Sequence, residues 1–238
     1  KKSQIKLITS KRLKLDKAFS TGCEMDALDF VKFYVELGAD VNAKGDNFLE
    51  RTGLHEACCR GHVHIVQYLL TLPEIKIDAR SEYNETPLYM AVAYSAKGTN
   101  EITEILVGYP EVDVNAKIIY ACFPLYVACE NGDFRKVKAL LSRNDIDGRM
   151  EFMGVTPFQI AVINNHISCA KLLIDKYMDF GDINYDTFGH TRKRSVREVF
   201  DIVKGFQKER NLRNVGRLLR SFNFHADELS LHVNSFID

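Results

Sequence analysis

The 238-residue sequence lacks any apolar run that approaches the roughly 18 residues needed to cross a bilayer. Its basic start is not followed by the apolar core of a signal peptide. Its six cysteines are too few for a disulfide scaffold in a chain this long, so we expect reduced thiols. These absences predict a soluble protein of the cytoplasm or the nucleus.

Net charge is absent too, because 32 Lys and Arg residues balance 32 Asp and Glu residues. This balance implies no overall attraction to nucleic acid or membranes. The basic residues nevertheless crowd the first 17 positions, and a second basic run extends from Arg192 to Arg220.

Known catalytic patterns are also missing. The sequence contains no Gly-rich phosphate loop, Walker lysine, kinase-type acidic loop or G-x-S-x-G elbow. Its Asp and Glu residues are scattered through segments where they are typical turn formers. Neither an enzyme nor a bound cofactor is predicted.

One stretch, HEACCRGHVH at residues 55–64, has the composition of a metal site. Zinc-protease helices place two histidines at i and i+4, but the residue four after His55 is Cys59. Mixed ligation by His55, Cys58, Cys59 and His62 is still chemically possible, because imidazole and thiolate both bind zinc. The surrounding sequence indicates whether these residues bind a metal or have a structural role.

The surrounding sequence is repetitive. TGLHEACCRGH, TPLYMAVAYS, FPLYVACENGD and TPFQIAVINNH begin at residues 52, 86, 123 and 156, so the period is close to the 33 residues of one known repeat class. Each block is followed by an apolar run, for example HIVQYLL or RKVKALL. Thr86 and Thr156 can cap helices that Pro87 and Pro157 begin. Each unit is therefore predicted to be two short helices that bury their apolar faces by stacking.

These blocks resemble the ankyrin repeat family. The resemblance implies an all-α solenoid of stacked helix-turn-helix units with short hairpin-like loops. In that register Leu54, Ala57 and Cys58 are buried, and Gly61 with His62 forms the turn. The resemblance also implies that the His55 ring hydrogen-bonds loop backbone. The metal site is therefore rejected, and no metal is predicted.

The resemblance divides the chain into three parts. Residues 1–14 form a basic N-terminal segment, residues 15–190 contain about five repeats, and residues 191–238 form a divergent last repeat with a basic helical cap. The first repeat is a degenerate cap in which KLDKAFSTG keeps Leu15, Ala18 and Gly22 of the pattern. Gly53 replaces the proline of the second repeat and Phe123 the threonine of the fourth, so those two helix starts are predicted to be less firmly fixed.

Members of this family commonly bind proteins through the loop tips and the exposed face of the first helices, so the resemblance implies a protein partner of unknown identity. The tips here are rich in apolar residues, which are enriched in interface cores. Alternatively, each tip packs on its neighbour. The predicted contact residues on the tips are Phe48, Leu49, Tyr83, Ile118, Ile119, Tyr120, Met150, Phe152 and Met153. Those on the concave face are Arg60, Tyr94, Glu130, Asn131 and Asn164.

The alternative function is binding of nucleic acid or an anionic surface by the basic C-terminal helices. That run lacks interleaved aromatics and matches no nucleic-acid motif, so we do not expect a nucleic-acid partner. The chain is expected to be a monomer on its own.

Overall fold

The computed structural model describes residues 2–45 and 48–176. Within these residues the chain forms ten α-helices and no strand, only two isolated antiparallel bridges, Lys44 with Thr52 and Phe152 with Val155. None of these helices is both long enough and apolar enough to cross a membrane. The helices are α1 (Lys2–Glu24), α2 (Leu28–Glu36), α3 (Gly53–Arg60), α4 (Val63–Leu69), α5 (Pro87–Ala93), α6 (Thr99–Val107), α7 (Pro124–Asn131), α8 (Phe134–Leu141), α9 (Pro157–Ile163) and α10 (Ile167–Lys176).

The described helices fall into two compact units, which divide between Asp147 and Gly148. In the first unit the inner helices α1, α3, α5 and α7 pack in succession, and the outer helices α2, α4, α6 and α8 pack in the same order. In the second unit α9 packs against α10. The predicted all-α stack of helix pairs is confirmed. The predicted C-terminal part, residues 191–238, lies outside the described residues.

Threonine and proline begin the helices as predicted. The Thr86 hydroxyl accepts a hydrogen bond from the Tyr89 N–H at 3.0 Å, and Thr156 accepts one from the Gln159 N–H at 3.2 Å. Gln159 returns a second bond, because its Oε1 accepts from the Thr156 N–H at 2.7 Å. At α7, Phe123 makes no capping side-chain bond, which agrees with the predicted weaker start.

The start of α3 is fixed by a histidine, so the prediction of a loose start there is wrong. His55 Nδ1 accepts a hydrogen bond from the Thr52 N–H at 3.2 Å. Packing favours glycine at position 53, because a Cβ there would lie 2.8 Å from both Cys23 Sγ and Phe19 Cε1. Proline carries that Cβ and would crowd α1.

The first repeat lies one helical turn later than the sequence suggested. Phe19, Gly22 and Cys23 are buried, whereas Leu15 and Ala18 are half-buried. Helix α1 continues through Gly22, and the turn falls at Asp26, whose φ is 57°. The predicted assignment of Leu15, Ala18 and Gly22 is therefore wrong by about four residues. The predicted boundary at residues 14 and 15 falls inside α1.

A short insertion between α5 and α6 is held from two sides. Lys136 on α8 is buried, and its Nζ donates to the carbonyl oxygens of Val92 at 3.2 Å and Tyr94 at 2.7 Å. On the other side, a Cβ at Gly61 would lie 2.0 Å from the carbonyl oxygen of Lys97. The inserted loop therefore packs directly on the turn of the second repeat.

Candidate partner-binding surface

In the first unit the loop tips are joined to each other by backbone hydrogen bonds. The Glu82 N–H donates to the Leu49 carbonyl at 2.9 Å, and the Ile119 N–H donates to the Tyr83 carbonyl at 2.9 Å. The backbone of these tips therefore helps to hold neighbouring repeats together.

The predicted tip residues of this unit fall into two groups. Leu49, Tyr83 and Ile118 are half-buried, so part of each side chain packs within the loops. Phe48 is 77% exposed, Ile119 57% and Tyr120 69%. Only the second group presents most of its apolar surface to solvent.

The second unit has one described tip, which shows the same division. Met150 and Phe152 are half-buried, while Met153 is 87% exposed. Phe152 and Val155 exchange two backbone hydrogen bonds of 3.0 Å, which close the loop. Asn164, the predicted polar contact at the end of α9, is exposed.

The tips of the first unit share an unusual backbone conformation. Glu50, Asn84 and Ala121 each lie two residues before a helix N-cap, and their φ angles are 49°, 61° and 64°. This left-handed region suits glycine and, to a lesser degree, asparagine, but it strains other residues. Glu50 and Ala121 therefore hold strained backbone beside the exposed Phe48 and Tyr120.

The polar residues predicted for the concave face lie at or just after the ends of the inner helices. Arg60 at the end of α3 lies 3.4 Å from Glu56 and 3.8 Å from Glu24. Glu130 and Asn131 at the end of α7 are exposed, and Tyr94 follows α5 with an exposed ring. This face is mixed in charge, which suits hydrogen bonding with a partner's polar groups.

An ion pair that the sequence analysis missed lies between the second and third repeats. Arg51 Nη2 is 3.0 Å from Glu85 Oε2, Arg51 Nε donates to the same oxygen at 3.1 Å, and both side chains are mostly buried. Burial alone would lower the pKa of Arg51, but its hydrogen bond to Glu85 and the charge of that carboxylate raise it. Each residue directly precedes the N-cap threonine of its repeat. Aligning the repeats would therefore have shown that opposite charges occupy the same position in neighbouring repeats.

The residues of the rejected metal site form hydrogen bonds or pack in the core. His55 Nε2 lies 3.0 Å from the Glu85 carbonyl oxygen, as the resemblance implied, and burial lowers the pKa of His55 to about 4. His62 Nε2 lies 3.0 Å from the Glu24 carbonyl oxygen. Cys58 is fully buried, and burial raises the pKa of its thiol. Across residues 2–45 and 48–176, no three His, Cys, Asp or Glu side chains are grouped as a metal would require.

Asparagines join successive loops in a repeated arrangement. Asn42 Nδ2 donates to the Glu74 carbonyl at 2.8 Å, and Asn42 Oδ1 accepts from the Lys76 N–H at 2.7 Å. Asn115 makes the same pair of bonds: its Nδ2 donates to the Asp145 carbonyl at 2.7 Å, and its Oδ1 accepts from the Asp147 N–H at 2.9 Å. At the equivalent position between them stands Asp78 rather than an asparagine.

Comparisons with known proteins agree with this architecture. The profile described as "Ankyrin repeats (3 copies)" matches residues 20–118 and 95–186, which together make up more than half of the chain. A segment of 62 residues, 26% of this chain, is 42% identical to alpha-latrotoxin-Lh1a of Latrodectus hasselti. The matched segment spans 4% of that relative's length. The stacked helix pairs and the matched profile together show that the chain belongs to the ankyrin repeat family.

Proposed function

We propose that this chain is a non-catalytic module that binds a protein partner through its loop tips and the adjoining concave face. Ankyrin repeats are generally protein-protein interaction modules, and the described residues add a reason to choose the tips. The tips carry exposed apolar side chains next to strained backbone. Backbone hydrogen bonds also join the tips of the first unit to each other.

The exposed tip residues are the proposed anchors. Phe48, Ile119 and Tyr120 in the first unit, and Met153 in the second, would lose most of their exposed apolar surface under a partner. Aromatic and methionine side chains are enriched in interface cores, and a few such anchors usually supply most of the binding free energy. Backbone strain also tends to occur at functional sites, where another task outweighs its cost.

The remaining predicted residues have supporting roles in this proposal. The half-buried Leu49, Tyr83, Ile118, Met150 and Phe152 shape the tips from within. Arg60, Tyr94, Glu130, Asn131 and Asn164 offer the polar groups that select the partner. Rim contacts of this kind contribute more to specificity than to affinity.

The test is affinity purification with three matched proteins: wild type, the tip variant F48S/Y120S, and the control F134S. Phe134 is 42% exposed and begins the outer helix α8, away from the tips. A partner of the tips should bind the tip variant about tenfold more weakly, a loss of about 1.4 kcal/mol, and should bind the control normally. Equal binding of all three proteins would contradict the proposal.

We also propose that the protein works in a reducing compartment, the cytoplasm or the nucleus. All six cysteines are free, and five of them are buried in the stack. Cys58 and Cys129 serve as small apolar residues of the inner helices, where a disulfide would require repacking. Locating a tagged chain in cells would test this.

A further inference from the structure

The buried lysine of α8 stands at a position that α4, α6 and α10 fill with apolar side chains. Ile65, Ile102 and Cys169 are buried on these helices, and each lies four residues before a buried leucine. Lys136 has the same place in α8, four residues before Leu140, and is 1% exposed. Burying an ammonium group is costly unless its donors are paired. Stacking of the helices alone therefore does not account for a lysine here.

The ammonium group of Lys136 is matched to three acceptors, one for each of its N–H donors. Its Nζ donates to the carbonyl oxygens of Val92 at 3.2 Å and Tyr94 at 2.7 Å, and it lies 3.5 Å from Asp133 Oδ2. The two carbonyls belong to the end of α5, where the inserted loop, residues 94–98, leaves the helix. Lys136 therefore ties the start of the inserted loop to α8.

The inserted loop changes how Tyr94 is presented on the concave face. Arg60 and Asn131, which also stand eight residues after an N-cap, are the last helical residues of α3 and α7. Tyr94 instead follows the end of α5 with extended backbone, at φ −101° and ψ 148°, and is 41% exposed. Burial lowers the pKa of Arg51, whereas Glu85 and the Tyr94 hydroxyl raise it. The Tyr94 side chain therefore reaches across from the end of α5 to Arg51, beside the start of α3.

The other end of the inserted loop is fixed by a close approach of two backbones. A Cβ at Gly98, whose φ is 99°, would lie 2.3 Å from the Gly61 carbonyl oxygen. Because both ends of the loop are held, little conformational entropy of Tyr94 would remain to be lost when a partner docks. A tyrosine held in this way offers rigid contact area with a polar group at its edge.

We propose that Lys136 is a positioning residue for partner recognition, which fixes Tyr94 through its carbonyl and so makes Tyr94 a contact that selects partners on the concave face. This role rests on the proposed function. Lys136 is buried, so it would act on a partner only through the inserted loop. Without that loop an apolar side chain would serve at position 136, as it does at positions 65 and 102. The buried charge and the exposed ring are therefore two parts of one device.

The first test measures the mobility of position 94 without any partner. The chain contains no tryptophan, so Y94W adds a single indole at this position. The fluorescence anisotropy of full-length Y94W should fall when K136M is added. It should not change with the control K138M, because Lys138 is exposed on the same helix. Equal anisotropy in Y94W and Y94W/K136M would overturn the positioning role.

The second test measures binding of short peptides selected from a displayed random library on the wild-type full-length chain. Peptides that bind Y94S about tenfold more weakly should also bind K136M about tenfold more weakly. The double variant Y94S/K136M should lose no more affinity than either single variant, because both changes remove the same contact. Peptides that depend on the tips, identified with F48S/Y120S, should bind K136M normally. The variant K136Q keeps an N–H donor and should lose less affinity than K136M, and it carries the test if K136M does not fold.

The outcomes separate the role of Lys136 from the proposed function. Peptides that depend on Tyr94 but bind K136M normally would overturn the role of Lys136. So would equal weakening of the tip-dependent peptides by K136M, which would mean that Lys136 acts only through the stability of the whole stack. Selection of tip-dependent peptides alone would show that Tyr94 is not a contact, and the tips would remain the binding surface. Peptides that ignore both Y94S and F48S/Y120S would contradict the proposed function itself, and the role of Lys136 with it.

Discussion

Asp78 accepts a hydrogen bond from the Asp113 N–H at 2.8 Å through one carboxylate oxygen, while its other oxygen is buried without a partner among the described residues. Asn42 and Asn115, at equivalent positions, use their amide group to donate to a loop carbonyl as well. A carboxylate can only accept in its charged form. Asp78 therefore lacks the inter-repeat bond to a loop carbonyl that Asn42 and Asn115 make.

Replacing Asp78 with asparagine should stabilise the fold by about 1 kcal/mol at neutral pH, because the amide can supply the missing donor. Burial raises the pKa of Asp78 above its ordinary value of 3.8. A raised folded pKa means that stability is lost as pH rises through it. The gain from D78N should therefore be largest at pH 7 and shrink as pH falls toward 3.8, as urea unfolding of both proteins would measure. A gain that is constant with pH would contradict this account.

Replacing Gly53 with alanine should destabilise the fold by about 1–3 kcal/mol, because the new methyl group meets Cys23 and Phe19 of α1. Denaturant unfolding measures the loss. The variant G53A/C23A should lose less stability than the sum of the two single variants, since removing the thiol makes room for the methyl group. Simple additivity would show that α1 does not crowd this position.

Replacing Lys136 with methionine should cost about 2 kcal/mol or more, because the carbonyl oxygens of Val92 and Tyr94 lose their buried donor. Lys138 on the same helix is exposed, so K138M is the matched control and should change stability by less than about 0.5 kcal/mol. Thermal unfolding of the two variants would separate the effects. Equal losses would mean that the inserted loop does not depend on Lys136.

Replacing Ala121 with glycine should stabilise the fold by about 1 kcal/mol, because glycine adopts the left-handed conformation at this tip without strain. Ala139 lies within helix α8, where the same change should instead cost about 1 kcal/mol. Opposite signs for A121G and A139G in chemical denaturation are the expected result. A loss of stability in A121G would show that the tip does not strain its backbone.

The repeat spacing was enough to predict the stack, because capping threonines and first-turn prolines fix the register wherever they occur. It failed at the first repeat, which has neither. Leu15, Ala18 and Gly22 fit the helical period, and so does the set that begins one turn later at Phe19, so periodicity alone cannot choose between them. The burial of Phe19 and Cys23, the turn at Asp26 and the close packing of Gly53 on α1 decide the register.

The candidate surface was predictable to a smaller extent. Composition pointed to the tips, but it could not separate Tyr83, which is half-buried, from Tyr120, which is not. The Tyr83 carbonyl accepts a hydrogen bond from the Ile119 N–H of the next tip, and composition cannot reveal such a bond. The bonds of Lys136 to Val92 and Tyr94 were equally hidden, because they join residues more than 40 positions apart around an insertion.

The backbone bonds from Glu82 to Leu49 and from Ile119 to Tyr83 affect how quickly a partner could associate. They fix three successive tips before any encounter, so little loop entropy remains to be lost on docking. Association would then be limited by diffusion and orientation instead of by loop closure. The lifetime of the complex would be set by how well the partner encloses the exposed side chains that these loops hold outward.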